Sequence, residues 1–356
     1  MRNFLGALGL VGCTDPRPGA VPEFGSHPTV DVVSRPTDEL DVPRDLAFHP
    51  DHPDQLWVVN QADDSMVIYT APGTTAQQAE KRIDAYAVHF MEEVSGLAFG
   101  TPDRTVDDHA ISTFATCQES RNTYNDTSPP NDFMGPVLWP GDLDLFAEKN
   151  QQNGLLGSHL DMLHQSPLCM GIAHAQANEY WVFDGYHQRL TWYDFDAPHG
   201  YGEDDHSDGR VRRYEDVVLS RIAGVPGHLE VAPDGSLLVA DTGSGRVIRV
   251  DIGSAFAVDS IPQALEPLDE FNAYAGASVE TVVDGLGEPS GLALIEDRLF
   301  VADHRTGDII AVELSSGAEI GRIAVGPGVM GIAIGPDGRI WYTQADANEI
   351  GRILPQ

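Results

Sequence analysis

The stretch that decides the fold is GHLEVAPDGSLLVADTGSGRVIRV, residues Gly227–Val250. Its first strand, Leu229–Ala232, alternates apolar and polar residues and is followed by a Pro-Asp-Gly turn. A nearly continuous apolar run, Leu237–Asp241, leads into a second turn, after which Arg246–Val250 alternates again. Short runs rich in β-branched residues between Pro, Asp and Gly predict a meander of antiparallel strands. One such meander cannot bury both of its faces, so it needs copies of itself.

Further copies of this unit occur along the chain. Each begins with a four-residue motif of the form x-Gly-Leu/Ile-Ala and continues into an apolar run that ends in a polar residue. The motifs begin at Arg44, Ser95, Met170, Gly227, Ser290 and Met330. Six four-stranded units with irregular spacing predict an all-β fold, a six-bladed β-propeller, because radial closure protects the sheet edges. Glycine at the second motif position suits an innermost strand, where the backbones of neighbouring blades approach each other.

These copies resemble the NHL-repeat propellers. The segment VADTGSGRVIRV (239–250) looks like the centre of an NHL blade, and Met330–Ile353 is similar to a repeat of the virginiamycin B lyase type. The resemblance covers Val30 to Ile353 and implies the six-bladed fold, but no particular activity, since propellers host many unrelated functions. Related peptidyl-hydroxyglycine lyase domains place zinc-binding histidines where inner strands begin, and only His228 stands at such a position here.

Composition limits the partners. The chain of 356 residues carries a formal net charge of −34. Nucleic acids and anionic membrane surfaces would repel it, so neither is expected as a partner. No run approaches the ~20 apolar residues of a membrane-spanning helix. Neither a phosphate-binding Gly-rich loop nor a Gly-x-Ser-x-Gly elbow is found. We expect a monomer whose partner is a small molecule or a protein.

Residues 1–13 have the features of a bacterial lipoprotein signal. An arginine precedes a short apolar stretch, and Leu10–Cys13 matches the lipobox, whose cysteine becomes the lipidated first residue. We predict lipidation at Cys13, a flexible tether over residues 14–28, and export to the periplasmic or extracellular face of the cell envelope. Membrane contact would then occur through the lipid anchor alone. The alternative is a cytosolic N-terminus with an incidental cysteine.

Residues 29–356 are assigned to the propeller. Thr29–Ser34 alternates like a strand and precedes the first motif, whereas the last blade has three strands before the chain stops. We expect this N-terminal strand to complete the last blade and close the ring. Residues 119–167 form an insertion between blades 2 and 3 that is too apolar for a free loop. We predict that it folds as a lid over one face.

Two cysteines flank this insertion. Cys117 leaves the second strand of blade 2, and Cys169 begins the first strand of blade 3. In a four-stranded meander these two points lie at the same end of a blade, so both cysteines should face one rim. We predict a disulfide between them, as suits an exported protein. The alternative is a pair of buried free thiols.

The same rim collects polar side chains from every blade, and such a mouth is the default ligand site. The predicted binding residues are Arg44, Glu119, Arg121, Asp184, His187, His228, Asp241, Asp303 and His304. Three of them, Asp184, Asp241 and Asp303, end equivalent strands. The alternative for these aspartates is that they cap turns by accepting hydrogen bonds from backbone N–H groups.

Two segments carry residue types that bind cations. His159, Asp161 and His164 stand in the insertion and, together with His228 from the rim, are predicted to bind Zn, Cu or Fe. Asp194–Asp196 followed by Gly202–Gly209 supplies clustered carboxylates and glycines that suit Ca²⁺. The alternatives are ordinary polar histidines and a solvated acidic loop.

Two functions therefore remain open. The first is an exported propeller that binds a ligand or a protein at the lidded rim without catalysis. The second is a metal-dependent lyase or hydrolase that acts on a small molecule at the same rim. The absence of a recognisable catalytic set favours binding.

Overall fold

The computed structural model describes residues 21–100, 104–106, 109–121, 132–152, 155–197, 199–203, 205–263 and 265–356. Cys13 and the signal predicted at residues 1–13 lie outside the described residues. Within the described part, no helix has the length and apolar character that crossing a bilayer requires.

Six sheets radiate from one axis as blades, each with its first strand innermost. The chain begins with β1 (Thr29–Val32). Blade 1 consists of β2 (Pro43–Phe48), β3 (Gln55–Asn60), β4 (Ser65–Thr70) and β5 (Gln78–Arg82). A short helix, α1 (Ala87–Phe90), precedes blade 2. Blade 2 consists of β6 (Val94–Phe99), a side hairpin of β7 (Arg104–Val106) and β8 (His109–Ile111), then β9 (Thr113–Gln118), β10 (Val137–Pro140) and β11 (Asp161–Met162).

The remaining blades follow in chain order. Blade 3 contains β12 (Cys169–Gln176), β13 (Glu179–Asp184), β14 (Arg189–Asp194) and β15 (Arg210–Val218). Blade 4 contains β16 (Leu229–Val231), β17 (Leu237–Asp241), a 3₁₀ turn (Thr242–Ser244), β18 (Arg246–Asp251), an inserted hairpin of β19 (Phe256–Ser260) and β20 (Glu270–Ala275), and β21 (Ser278–Val283). Blade 5 contains β22 (Pro289–Ile295), β23 (Arg298–Asp303), β24 (Asp308–Glu313) and β25 (Ala318–Ala324). Blade 6 contains β26 (Val329–Ile334), β27 (Ile340–Gln344) and β28 (Glu349–Leu354).

The N-terminal strand closes the ring. Strand β1 pairs antiparallel with β28, so that Thr29 lies opposite Leu354 and Val32 lies opposite Gly351. Blade 6 thereby gains its fourth, outer strand from the start of the propeller, which confirms the predicted closure.

Residues 21–28, part of the predicted flexible tether, pack on the propeller instead. Phe24 is buried, and its ring meets Phe300 of blade 5 edge-on, with the ring centroids 5.7 Å apart. Glu23 forms an ion pair with Arg298, with Oε1 and Nη2 2.7 Å apart. The tether prediction needs correcting for this part, because a buried aromatic ring and an ion pair hold the segment in place.

The lid predicted for residues 119–167 is not confirmed. The described part of this insertion supplies β10 and β11, the two outer strands of blade 2. Some of its large apolar side chains face blade 1: Phe146 packs against Trp57 of blade 1 and against Trp139 of blade 2, with ring centroids 5.5 Å apart in each case. Others, such as Leu138, pack in the core between blades 2 and 3. Apolar residues that suggested a lid therefore fill the spaces on both sides of blade 2.

Blade 3 has six strands, which the sequence did not indicate. The hairpin β19–β20, inserted in blade 4, adds to the outer edge of blade 3, where β20 pairs in parallel with β15. Arg212 and Glu270 reinforce this junction, with Nη2 and Oε2 2.9 Å apart. The loop between β19 and β20 is thereby carried toward the junction of blades 2 and 3.

Glycines near the start of the inner strands allow the backbones of neighbouring blades to pack closely around the axis. A Cβ atom on Gly171 would lie 2.3 Å from the carbonyl oxygen of Gly227 in the next blade. Gly291 would meet the carbonyl oxygen of Met330 at the same distance, and Gly331 would meet the Asp45 Cα at 2.7 Å. The close backbone approach predicted from the motif is therefore confirmed in three blades.

Candidate functional site

A cavity of about 470 Å³ lies on the propeller axis. It is lined by residues from the inner strands of all six blades. The alanines at the fourth motif position form a ring of small side chains in this wall: Ala47, Ala98, Ala173, Ala293 and Ala333. The repeat thus produces an axial channel whose surface is partly apolar and partly polar.

Blade 4 interrupts the alanine ring with an acid. Glu230 occupies the fourth motif position and lines the cavity. Burial raises the pKa of Glu230 to about 7, and the nearby Asp45 carboxylate adds to the rise. A carboxyl group with this pKa changes its charge near neutral pH, so it can both bind a ligand and exchange a proton.

Two further departures from the motif meet at the inner end of the cavity. Asp45 in blade 1 and His228 in blade 4 replace the glycine of the second motif position. They come from opposite blades, and His228 Nδ1 lies 3.4 Å from Asp45 Oδ2. The Asp45 carboxylate also accepts the N–H groups of Leu46 (2.8 Å) and Leu97 (3.0 Å). The buried His228 Nε2 has no hydrogen-bond partner among the described residues.

Burial raises the pKa of Asp45, while the nearby His228 and the two backbone N–H groups oppose the rise. The cavity wall therefore holds two carboxyl groups, those of Asp45 and Glu230, whose charged forms are disfavoured by burial. A cationic or hydrogen-bond-donating group would stabilise both of them.

The predicted rim site is occupied by the protein's own ion pairs. Arg44 and Glu119 are both buried, with Nη1 and Oε2 2.7 Å apart. The other oxygen of Glu119 accepts from Arg221 (2.8 Å) and from the Gly224 N–H (2.9 Å). This network joins blades 1 and 2 to the connection between blades 3 and 4, so Arg44 and Glu119 hold the rim together.

The three rim aspartates accept hydrogen bonds from turns, as the alternative interpretation proposed. Asp184 accepts the His187 N–H (2.8 Å) and the Ser166 hydroxyl (3.0 Å). Asp241 accepts the Ser220 N–H (2.7 Å) and also pairs with Arg246. Asp303 accepts the N–H groups of Gly287, Glu288 and Thr306.

The remaining rim residues are dispersed. His187 lies between Asp184 (2.7 Å) and Asp132 (3.1 Å). Burial would lower the pKa of His187, but its hydrogen bonds to the two aspartates outweigh that effect and raise it. The Arg121 guanidinium stacks over the Tyr186 ring at 3.5 Å. His304, which follows β23 in blade 5, donates its backbone N–H to the carbonyl oxygen of Glu288.

The four predicted metal ligands are not assembled as one set. His228 lies on the axis. His159 is buried elsewhere, where its ring stacks on Phe90 with the centroids 3.9 Å apart and Nδ1 lies 2.7 Å from the Leu156 carbonyl oxygen. Asp161 and His164, in contrast, lie together at the junction of blades 2 and 3 with residues that the sequence did not associate with them.

This junction brings together imidazoles and carboxylates from three separate segments. His206 Nδ1 lies 2.8 Å from Asp161 Oδ1, and His164 Nδ1 pairs with Glu266 from the β19–β20 loop. Burial raises the pKa of Asp161, while the hydrogen bond to His206 opposes the rise. Donor atoms within 4.8 Å of one another define two groups among the described residues: His164, His206 and Glu266, and Asp161, His199 and Asp208.

The predicted calcium segments separate in the structure. Asp194 and Asp196 pair with Arg210 at 2.9 and 3.5 Å, which occupies their carboxylates. His206 and Asp208, from the second segment, join the junction of blades 2 and 3 instead. Part of the segment predicted to bind calcium therefore lies beside part of the segment predicted to bind a transition metal. The donor atoms that meet there include imidazole nitrogens as well as carboxylate oxygens.

The predicted disulfide is present. Cys117 in β9 is bonded to Cys169 in β12, with the Cα atoms 5.5 Å apart. The bond links the second strand of blade 2 to the first strand of blade 3, as expected from the meander.

No known protein-family model matches the chain, and no curated protein matches it in sequence. Solved propellers do resemble it in structure. An auxiliary nutrient binding protein from Bacteroides ovatus is 12% identical, with a TM-score of 0.55 over 92% of this chain and 77% of that one. Its counterpart from Bacteroides thetaiotaomicron is 10% identical, with a TM-score of 0.55 over 91% and 76%. A streptogramin B lyase is 10% identical, with a TM-score of 0.49 over 92% and 98%.

At these identities the likeness shows the fold alone, and the TM-score of the lyase is too low to add to it. The chain is a six-bladed β-propeller. Its candidate sites have to be interpreted from its own side chains.

Sequence reasoning missed Glu230, His199 and Glu266. For Glu230 the signal was present, because five blades have alanine at the fourth motif position and one has glutamate. His199 and Glu266 had no local signal. Glu266 pairs with His164 across 102 residues, through a hairpin that joins a neighbouring blade.

Proposed function

We propose that the protein is an exported binding propeller that holds a small cationic ligand in the axial cavity, with its ammonium group against Glu230 and Asp45. The observation that carries this proposal is the placement of the three departures from the motif. Asp45, His228 and Glu230 all line one cavity, although they come from two opposite blades. A volume of about 470 Å³ suits a small molecule.

The wall combines apolar and polar surface, which suits an amine with a small apolar body. Most of the residues that line the cavity are leucine, isoleucine or alanine, and Asp45 and Glu230 add two carboxyl groups to it. A bound ammonium group would favour the charged forms of both carboxyls. The net charge of −34 also attracts cations toward the protein from a distance.

Metal-dependent catalysis on the axis has weaker support. Among the described lining residues, the polar side chains are those of Asp45, His174, His228 and Glu230. None of these belongs to a group with three donor atoms close enough to share a metal ion. A lyase or hydrolase at this position would therefore lack its metal ligands.

Export completes the proposal. The Cys117–Cys169 disulfide suits an oxidising compartment. We propose that Cys13 carries the lipid anchor. Replacing it, Cys13→Ala, should release the protein from the membrane fraction of a bacterial host, and unchanged fractionation would contradict the anchor.

Binding is tested by calorimetric titration with phenethylamine and with phenylpropionate, a carboxylate of similar size. We expect the amine to bind more tightly at pH 8 than at pH 6, because Glu230 is then ionised, and the carboxylate not to bind. Glu230→Gln should abolish the pH dependence, and Ala333→Leu should block binding by filling the cavity. Glu280→Gln, on the exposed surface of the same blade, is the control. The proposal is overturned if the unchanged chain and the three variants bind the amine with equal affinity.

A further inference from the structure

The junction of blades 2 and 3 carries a cluster of ionisable side chains that the axial site does not use. It gathers three loops: Asp161 and His164 come from the end of blade 2, and Glu266 comes from the β19–β20 hairpin. The loop between β14 and β15 contributes His199, His206 and Asp208. No two of these loops are neighbours in sequence, so the cluster exists only in the folded chain.

Carboxylates fix the orientation of the imidazoles. Glu266 accepts the backbone N–H of His164 at 3.1 Å and pairs with Nδ1 of the same residue. Asp161 pairs in the same way with Nδ1 of His206, at 2.8 Å. Carboxylate–histidine pairs of this kind set the tautomer and the ring orientation of metal-binding histidines, and leave the second ring nitrogen as the donor.

Two buried atoms in the cluster lack hydrogen-bond partners among the described residues. They are His164 Nε2 and Asp161 Oδ2, and their side chains are at most 5% exposed. His199 Nε2 lies 3.6 Å from Asp161 Oδ2. A buried carboxylate oxygen and a buried ring nitrogen without partners are costly to desolvate.

A cation in each of the two groups would satisfy one of these atoms, His164 Nε2 in the first group and Asp161 Oδ2 in the second, and would offset the charge of the buried carboxylates. We propose that His164, His206 and Glu266 form one site, and Asp161, His199 and Asp208 an adjacent one, for divalent transition metals of the zinc type. Mixed imidazole and carboxylate donors suit zinc and its neighbours in the first transition row, whereas Ca²⁺ prefers six to eight oxygen donors. The donor atoms lie within 4.8 Å of one another in each group of three, as a shared ion requires.

Such an ion would act as a structural link. Bound by His164, His206 and Glu266, it would tie the outer edge of blade 2 to the β14–β15 loop and to the hairpin that blade 4 adds to blade 3. The Cys117–Cys169 disulfide already joins the inner strands of the same two blades. The disulfide would thus hold the junction of blades 2 and 3 near the axis, and the metal ion would hold the same junction farther out.

The experiment uses the full chain with its disulfide intact. The protein is treated with EDTA, dialysed and titrated with Zn²⁺, and bound zinc is measured by inductively coupled plasma mass spectrometry. Co²⁺ is added in parallel as a spectroscopic probe. We expect stoichiometric binding that Ca²⁺ does not displace, d–d absorption with Co²⁺, and a higher melting temperature with zinc than in EDTA.

Variants separate metal ligation from a network of protonated histidines. His164→Gln and Asp161→Asn should each lose the zinc of their own group, and Glu266→Gln, which removes the negative charge beside His164, should bind zinc in the first group at least about 10–100-fold more weakly. His187→Gln is the matched control, because His187 is also paired with two carboxylates but belongs to neither group. The proposal is overturned if the unchanged chain takes up no zinc at micromolar concentration, or if the cluster variants bind zinc as it does. It is also overturned if the melting temperature depends on imidazole protonation and not on zinc.

Discussion

Asp45 and His228, contributed by opposite blades, meet on the propeller axis with Oδ2 and Nδ1 3.4 Å apart. Four of the six blades have glycine at the corresponding position, where a side chain would meet the backbone or the side chains of neighbouring blades. Two polar side chains fit there because they share the space across the axis. The pair therefore places ionisable side chains in the cavity wall, at positions where the other four blades have only glycine backbone.

Asp45 should contribute to stability through its hydrogen bonds. Asp45→Ala leaves the buried N–H of Leu97 without its acceptor, which costs about 1–3 kcal/mol. Asp45→Asn keeps an oxygen acceptor and should cost less. Urea unfolding at pH 7 measures both variants. Equal losses in the two variants would show that the carboxylate charge, and not the hydrogen bond, matters.

Glu230 should make stability fall as pH rises toward neutrality. Its folded-state pKa is raised from 4.5 to about 7. Between these values the folded carboxyl keeps a proton that the unfolded chain has lost, so raising the pH favours unfolding. Glu230→Gln removes this dependence, with a gain over the unchanged chain of at most about 3 kcal/mol above pH 7. Melting temperatures at pH 5 and pH 7.5 test this, with Glu280→Gln as the control. A parallel pH profile in Glu230→Gln would contradict the assignment.

The disulfide should stabilise the junction of blades 2 and 3. It closes a loop with a sequence separation of 52 residues, and removing such a cross-link costs about 4 kcal/mol in the loop-entropy description. The double variant Cys117→Ser, Cys169→Ser should melt at a lower temperature and become insensitive to reductant. The unchanged chain should lose stability in dithiothreitol. Thiol titration of the denatured chain checks the bond directly, and free thiols at Cys117 and Cys169 would contradict it.

Phe24 should anchor the segment that precedes the closing strand. Its ring is 4% exposed and lies against Phe300. Phe24→Ala should therefore cost about 3–5 kcal/mol. The control Phe256→Ala, at a residue that is 59% exposed, should change stability by about 0.5 kcal/mol or less. Similar denaturant midpoints for both variants would mean that the segment does not hold to blade 5 in solution.

The sequence predicted those features that repeat or that involve neighbouring blades. Blade number, ring closure by Thr29–Val32 and the Cys117–Cys169 bond all follow from the motif and from the alternating direction of strands in a meander. The outer strands of blade 2 were missed because β10 and β11 are only four and two residues long and are separated by a long loop. Their apolar residues were therefore interpreted as a lid.

The sites were harder to predict because they depend on which polar groups are already satisfied. Asp184, Asp241 and Asp303 look alike at their strand ends, and turn N–H groups occupy all three. Glu230 differs because it replaces alanine in a wall of small side chains. The zinc-type cluster depends on the parallel pairing of β15 with β20, a contact for which no local pattern in the sequence is known.

Closure of the ring by β1 and β28 has a consequence for biosynthesis. These strands pair residues 29–32 with residues 351–354, so the first strand made has to wait for the last. At about 5–20 residues per second, that delay lasts tens of seconds. Throughout this interval the edge of β1 has no partner, and an unpaired strand edge invites pairing with other chains. During synthesis, the protein therefore depends on β1 being kept away from the strands of other nascent chains until β28 has been made.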